Sequence, residues 1–187
     1  MKKLACLLVL SCFAISIQAQ KKSKTKAKTE TKEFAIDSSK VLTLDKTIKT
    51  LYQVISAEKE EERNWKQFKF LFYPGAKLIP TGMNQDYVYK AKYLTPQEYI
   101  NNSKKWLKMN GFIEKEISRK VNAFGNIAHV FSTYESYHSK DDEKPFMRGI
   151  NSIQLVYDED RWWIVNIFWA QETEEYMIPK KYLPRKK

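Results

Sequence analysis

The chain contains 187 residues, of which 43% are hydrophobic and 29% are charged, and its formal net charge is +11. The two ends hold this charge: residues 1–33 contain eight Lys and two Glu, and residues 180–187 contain five Lys or Arg, so the body between them has no formal net charge. A nucleic-acid-binding protein is expected to carry its basic stripe on the folded domain, and we therefore predict that this chain binds no nucleic acid.

Residues 1–19 are typical of a cleaved bacterial signal peptide. Two lysines precede an apolar run from Leu4 to Ile17, and the segment ends at Ala19, a small residue that suits signal peptidase. The run is short for a bilayer-spanning helix, so we predict an exported protein, periplasmic or secreted, without a transmembrane segment in the mature chain. A lipoprotein signal with Cys12 as the lipidated residue is the less favoured alternative, because Leu10 is bulky where such signals carry a small residue.

The segment that follows the predicted signal peptide separates it from the domain. Residues 20–40 are rich in Lys and Thr and lack apolar periodicity, which predicts a disordered linker. Both cysteines, Cys6 and Cys12, precede it, so the mature chain has no disulfide, thiol nucleophile or thiolate metal site. Residues 41–187 are long enough to form one domain with a basic C-terminal tail.

Three helices are predicted in the first part of this domain. Apolar residues recur at helical spacing from Ile48 to Ile55, and Asp45 is expected to cap this helix. Aromatic residues repeat the spacing from Trp65 to Phe72 on a second, short helix. The third helix, between Thr95 and Gly111, begins with a capping box in which Glu follows Thr by three residues.

Six strands are predicted around and after the third helix. The last four follow one another in sequence and are expected to form an antiparallel meander. Helices followed by a long sheet indicate an α+β domain with its helices on one face of the sheet. The predicted strands are Ala76–Pro80, a short strand within residues 86–94, Phe112–Ala123, Ile127–Tyr137, Ile150–Tyr157 and Trp162–Gln171.

The order of these elements resembles the nuclear transport factor 2-like superfamily, also called SnoaL-like. Three stretches carry the resemblance, which covers roughly residues 41–175: "NWKQFKFLFYPGAKLIP", "FGNIAHVFSTYESY" and "DEDRWWIVNIFW". The chain departs from the pattern in the last turn, where Glu159 and Asp160 stand in place of the usual Gly. The resemblance implies a strongly curved, mostly antiparallel sheet that wraps around the helices as a cone with an open pocket, and it implies frequent homodimerisation through the sheet. The superfamily includes isomerases, dehydratases, hydrolases and domains without catalysis, so the resemblance does not select a reaction.

The predicted final hairpin supplies most of the candidate ligand-binding residues. With Glu159 and Asp160 in the turn, Ile153 is expected to pair with Asn166, and Asn151 with Phe168. Two single amides would then lie on an otherwise apolar face, as in pockets that combine apolar walls with few polar groups. The candidates are these amides, the neighbouring Trp pair and a Tyr of the preceding strand: Asn151, Asn166, Trp162, Trp163 and Tyr134.

The candidate catalytic residues are His129 and Glu135. Histidine suits a general base because its pKa lies near neutrality, but six residues on one strand separate the two side chains too widely for a direct acid–base pair. Glu114 and Glu116 alternate with basic residues, which is typical of an exposed strand face. Two histidines without close carboxylates do not indicate a metal site, and the chain has no Gly-rich phosphate loop, so we expect no metal and no cofactor.

Three functional hypotheses follow from the sequence. The favoured one is an exported domain that binds a small apolar molecule in the pocket without catalysis. The first alternative is a cofactor-free lyase, isomerase or hydrolase that uses a pocket His or Glu. The second is a dimeric protein-interaction module.

Overall fold

A computed structural model describes residues 34–86 and 88–185 of the chain. The predicted signal peptide and most of the predicted linker lie outside these residues. The described part contains helices α1 (Leu44–Ile55), α2 (Trp65–Phe70) and α3 (Pro96–Asn110), two short 3₁₀ turns (Ser38–Val41 and Lys180–Tyr182), and strands β1 (Phe72–Met83), β2 (Tyr89–Ala91), β3 (Ile113–Phe124), β4 (Ile127–Tyr137), β5 (Met147–Asp158) and β6 (Arg161–Gln171).

The six strands form one mixed sheet in the order β2-β1-β6-β5-β4-β3. β1 and β6 are parallel, and every other neighbouring pair is antiparallel. The predicted α+β architecture, with a mostly antiparallel sheet and a four-strand meander, is confirmed. We call the sheet face that packs on the helices the inner face and the opposite one the outer face. The core between the inner face and the helices is apolar and includes Ile48, Leu51, Phe68, Leu107, Val130 and Ile153.

The helix starts follow local hydrogen bonding. The N-cap of α1 is Thr43, whose hydroxyl accepts from the Lys46 amide at 3.2 Å, so the prediction of Asp45 as the cap is wrong. Asp45 lies in the first turn, where a carboxylate interacts favourably with the helix dipole. The capping box of α3 is confirmed, because the Thr95 hydroxyl accepts from the Glu98 amide at 3.2 Å and the Glu98 carboxylate accepts from the Thr95 amide at 2.7 Å.

Strand β1 begins earlier than predicted and takes in a residue of the second predicted helix. α2 ends at Phe70, and Phe72 already pairs with Ile164 of β6. The Pro74-Gly75 pair, which was expected to precede the strand, lies within it, and the pairing register with β6 shifts between Phe72 and Lys77. Gly75 has φ of 86°, a conformation that glycine adopts without steric cost, so the strand continues through an irregularity that would otherwise end it.

A β-bulge in the final hairpin corrects the predicted pairing. β5 and β6 shift register between Gln154 and Leu155, so that Ile153 pairs with Ile167, and Asn151 pairs with Trp169. One extra residue in β6 reverses the faces of all residues beyond it. The predicted pairs of Ile153 with Asn166 and of Asn151 with Phe168 are therefore wrong, and Ile167 and Trp169 take the inner face.

Residues at both ends of the described chain pack on the domain. The Asp37 amide donates to the Gln67 side chain at 2.7 Å, and the Asn64 side chain donates to the Ala35 carbonyl at 2.8 Å, so the last residues of the predicted linker are in contact with α2. At the other end, the Thr133 hydroxyl donates to the Tyr182 carbonyl at 2.7 Å. This contact places the C-terminal segment against part of the outer face.

None of the helices in the described ranges combines the length and hydrophobicity needed to cross a bilayer.

Candidate functional site

The main candidate site is a cavity of about 330 Å³ between the inner face of the sheet and the three helices. Seven aromatic side chains form much of its wall. The helices contribute four of them, Tyr52, Phe68, Tyr99 and Trp106. The remaining three come from the sheet side and are Phe112, Tyr134 and Trp169.

Polar groups are few in this wall, and Glu114 is the one charged residue that the described part of the chain contributes to it. The other polar lining residues are Asn102 and Ser103 of α3 and Asn151 of β5, in addition to the tyrosine hydroxyls. A mostly apolar concave wall with a small number of polar groups is the usual composition of a small-molecule site. The wall therefore has the character of a binding site.

Glu114 is held by the end of α1. Its amide donates to the Ser56 hydroxyl at 2.9 Å, and the same hydroxyl donates to the Glu114 carbonyl at 3.3 Å. The carboxyl accepts from the Asn151 side-chain amide at 3.1 Å. Burial raises the pKa of Glu114 to about 7, and the hydrogen bond from Asn151 offsets part of that rise. Both protonation states of this carboxyl are consequently populated near neutral pH.

The prediction that Glu114 belongs to an exposed strand face is wrong. β3 is an edge strand, and its first residues lie beneath α1, so Glu114 is turned towards the cavity while Lys115 is exposed. The sequence carries one indication of this, because Phe112 and Glu114 share a face by alternation and Phe112 is buried. Ile113 on the opposite face is buried as well, so alternation alone does not decide between the two faces.

A chain of hydrogen bonds runs from the cavity to the surface. The Asn151 amide donates to the Tyr52 hydroxyl at 3.1 Å as well as to Glu114. The Tyr52 hydroxyl lies 2.7 Å from the Ser132 hydroxyl, which in turn donates to the Glu116 carboxylate. Arg119 forms an ion pair with Glu116. An ionised carboxylate can accept hydrogen bonds but cannot donate one. Ser132 therefore donates to Glu116, and Tyr52 donates to Ser132. The Tyr52 proton therefore points away from Glu114.

Tyr134 lies deeper in the same cavity, and its hydroxyl has no hydrogen-bond partner within the described part of the chain. The residue is only 1% exposed. Burial, and secondarily the charge of Glu114, raises the pKa of Tyr134 above its ordinary value, so the phenol stays protonated. It faces Gly149 across the β4–β5 pair. A buried hydroxyl without a partner is costly, which makes it a candidate donor to a bound molecule.

The exposed residues of α3 mark where the cavity reaches solvent. Trp106 lines the cavity and is 47% exposed, and Asn102 beside it is also exposed. His138 stacks on Phe146 with ring centroids 4.1 Å apart, and the Trp106 ring lies 6.3 Å from His138. The mouth of the cavity is therefore aromatic.

Comparison with known proteins identifies the fold. No protein-family model matches this sequence, and no curated protein matches it. A nuclear transport factor 2-like protein of unknown function from Pseudomonas putida superposes with a TM-score of 0.54 at 10% identity, over 80% of this chain and 100% of that chain. The domain has the nuclear transport factor 2-like fold.

Two further solved structures agree with this assignment. A protein of unknown function with a cystatin-like fold from Nostoc punctiforme has a TM-score of 0.54 at 8% identity, over 75% of this chain and 97% of that chain. An uncharacterized protein with a cystatin-like fold from Caulobacter vibrioides has a TM-score of 0.50 at 11% identity, over 70% of this chain and 88% of that chain. The resemblance drawn from the sequence is confirmed for the fold, and identities this low carry no information about activity.

Within this nuclear transport factor 2-like domain, the predicted ligand-binding residues are divided between the two faces. Asn151 and Tyr134 line the cavity. Trp162 packs against the core near the last turn, outside the cavity wall. Asn166 pairs with Gln154 on the outer face, and the Trp163 ring lies 3.5 Å from the Arg161 guanidinium. Ligand contact by any of these residues stays a prediction.

The two predicted catalytic residues lie outside the cavity wall. The His129 ring nitrogen is 2.9 Å from the Ser152 hydroxyl, and the Glu135 carboxylate accepts from the Tyr137 hydroxyl at 2.8 Å. Both belong to the outward-alternating residues of β4, whereas Tyr134 belongs to the inward set. In residues 34–86 and 88–185, no group of three or more His, Cys, Asp or Glu is placed to hold a metal ion.

Proposed function

We propose that this chain is an exported SnoaL-like domain whose cavity binds a small, largely apolar molecule. The observation that carries the proposal is the cavity of about 330 Å³ with seven aromatic residues in its wall. A volume of this order accommodates a small organic ligand. Export rests on residues 1–19, and homodimerisation through the sheet stays a prediction that light scattering on the mature chain can test.

Blocking the mouth of the cavity tests ligand binding. We expect the neutral fluorescent probe N-phenyl-1-naphthylamine to bind saturably, with enhanced emission, because the wall is aromatic. Asn102→Trp places an indole at the mouth and should weaken binding by about tenfold, which corresponds to about 1.4 kcal/mol. The measurement is a fluorescence titration of the mature protein.

Asn101→Trp is the matched control for this experiment. Asn101 precedes Asn102 on α3 and is also exposed, but it does not line the cavity. This variant should bind the probe as tightly as the unsubstituted chain does. If both substitutions weaken probe binding equally, or if neither weakens it, the probe does not bind in this cavity.

Glu114 supports a second candidate function, cofactor-free acid–base catalysis by a lyase, isomerase or hydrolase. A general base works best with a pKa near the operating pH, and the pKa of this cavity carboxyl is about 7. The unpaired Tyr134 hydroxyl could donate to an oxygen of the substrate. In this candidate Glu114 takes the role that the sequence assigned to His129 or Glu135.

Hydrogen–deuterium exchange at carbon tests this second function. In D₂O, a small phenylalkyl ketone such as 4-phenylbutan-2-one should incorporate deuterium at the carbon next to its carbonyl, because Glu114 would remove a proton from that carbon. NMR follows the exchange. Glu114→Gln should reduce the protein-dependent rate by at least about a hundredfold, the usual scale for loss of a general base. Equal rates in both proteins would exclude Glu114 as the base for this class of substrate.

A further inference from the structure

The Glu114 carboxyl lies in the cavity and forms no ion pair with a basic residue of the described ranges. None of the residues that line the cavity is Lys, Arg or His. The guanidinium of Arg63 donates to the backbone carbonyls of Ile55 and Ala57, and that of Arg119 is paired with Glu116 and Asp45. Both guanidinium groups are thus engaged elsewhere. Lys49 and Lys115 lie with Glu114 along the adjoining surface groove and not in the cavity wall, so the wall itself has acidic character.

The hydrogen bonds of Glu114 are also incomplete. A carboxylate can accept about four, and Asn151 provides the one side-chain donor found for it within the described residues. Among the neighbouring phenols of the described residues, Tyr52 donates towards Ser132 and the Tyr134 hydroxyl has no partner, so neither supplies a further hydrogen bond to Glu114. A ligand that places positive charge beside Glu114 would remove this deficit.

The aromatic wall favours the same kind of ligand. The faces of aromatic rings carry partial negative charge and attract organic cations, most strongly in the case of Trp. Trp106 at the mouth and Trp169 on the sheet lie on the same cavity as Tyr99 and Tyr134. Rings contributed from both sides, together with one carboxylate, form the kind of enclosure that recognises alkylated ammonium groups.

We propose that the cavity selects a small organic cation, an alkylated ammonium group attached to an apolar body, with the ammonium beside Glu114 and the aromatic rings around it. This inference rests on the proposed binding function and specifies its ligand class. An anionic ligand would meet Glu114 without any basic lining residue to offset the repulsion. A neutral ligand would fill the apolar volume but would leave the carboxylate without a counterion.

Binding of such a cation depends on the ionisation of Glu114. The groups that face this carboxyl from the cavity are Tyr52, Tyr99 and Tyr134, and burial raises the pKa of each phenol, so all three stay neutral. On the side of the adjoining groove the charged residues are Asp45, Lys49 and Lys115. Glu116 follows on the same strand and is paired with Arg119. His138 lies at the mouth, beside Trp106. Since the pKa of Glu114 is about 7, affinity for the cation should rise about tenfold from pH 6 to pH 8.

A charged ligand and its uncharged isostere provide the test. Neopentylbenzene is the neutral analogue of benzyltrimethylammonium, with carbon in place of the charged nitrogen. Each compound is titrated against bound N-phenyl-1-naphthylamine. At pH 8 we expect the cation to bind at least about tenfold more tightly, a factor that corresponds to a modest cation–π and ion-pair contribution. The preference should shrink in Glu114→Gln, which keeps the aromatic rings but loses the carboxylate. It should persist in full in Glu135→Gln, which removes an equivalent charge from a strand residue outside the cavity wall.

The outcomes separate this inference from the proposed function. Equal or tighter binding of neopentylbenzene to the unsubstituted chain overturns the cation preference and leaves a binding cavity. If neither compound displaces the probe and the probe itself does not bind, both proposals fail. If Glu114→Gln does not fold, the pH series on the unsubstituted chain decides the question, because the cation should gain affinity from pH 6 to pH 8 and the neutral isostere should not.

Discussion

Replacing Glu114 by Gln is expected to stabilise the protein at pH 8 by about 2 kcal/mol and to change its stability little near pH 4.5. The pKa of this carboxyl is raised to about 7 in the folded state from an ordinary value of 4.5. The folded state therefore binds more protons than the unfolded state between these values, and stability falls as the pH rises through this window. The expected gain in the free energy of unfolding is smaller than the value that corresponds to the whole pKa shift, because Glu114 is partly exposed to the cavity.

Urea denaturation from pH 4.5 to pH 8 measures this effect. Other carboxyls act in the opposite direction: Asp37 and Glu98 have pKa values lowered by hydrogen bonds to Ser39 and Thr95, and they add stability as the pH rises. The informative quantity is consequently the difference in the free energy of unfolding between Glu114→Gln and the unsubstituted chain at each pH. Glu135→Gln is the control, and its difference from the unsubstituted chain should not rise comparably with pH. A flat difference for Glu114→Gln would mean that the carboxyl is not buried in the cavity.

A buried carboxyl that lowers stability at neutral pH differs from the other acidic residues around it. Glu116 is paired with Arg119, and Glu98 completes a helix cap, so both have a structural role. Glu114 has one side-chain donor and no basic partner in the described part of the chain. Groups that reduce stability in this way concentrate at functional sites. This contrast supports the proposal that Glu114 belongs to the binding site, beside the evidence of the aromatic cavity.

Much of the fold could be predicted from the sequence, because local rules and tertiary packing agree there. The α3 capping box at Thr95 is a short-range hydrogen-bond pattern that holds in the folded chain. The β4 strand has the predicted bounds, Ile127–Tyr137. The parallel pairing of β1 with β6 could not be predicted, since it joins residues about ninety positions apart and has no local signal.

The site was predicted less completely, for two physical reasons. Periodicity divided the β4 residues between two faces but did not show that the face of Tyr134 is the inward one, and it could not reveal the bulge near Val165 that turns Asn166 to the outer face. It also could not orient Glu114, because an edge strand that starts under a helix is apolar on both faces at Phe112 and Ile113. A bulge and a helix crossing are tertiary features, and both decide which polar groups reach the cavity.

Substituting Gly149 by Ala is expected to destabilise the domain by about 3 kcal/mol. A Cβ at this position would lie 2.4 Å from the Ala170 carbonyl oxygen and 2.4 Å from the Tyr134 hydroxyl. The first contact is with the backbone of the paired strand β6, so it cannot be relieved by a side-chain rotation. Tyr134 would have to move into the cavity, and probe affinity should fall together with stability. Urea denaturation and the fluorescence titration measure the two effects.

Gly82→Ala is the matched control for Gly149→Ala, since a Cβ at that β1 position meets no atom within 4 Å and the change should alter stability by less than about 0.5 kcal/mol. Combining Gly149→Ala with Tyr134→Phe separates the two contacts. The phenyl ring lacks the hydroxyl, but the ring carbon at 2.7 Å and the Ala170 oxygen remain, so only part of the lost stability should return. Complete recovery would show that the backbone contact with β6 relaxes without cost. An unchanged stability in Gly149→Ala alone would mean that Tyr134 does not pack over Gly149 and that its hydroxyl is not fixed at the cavity wall.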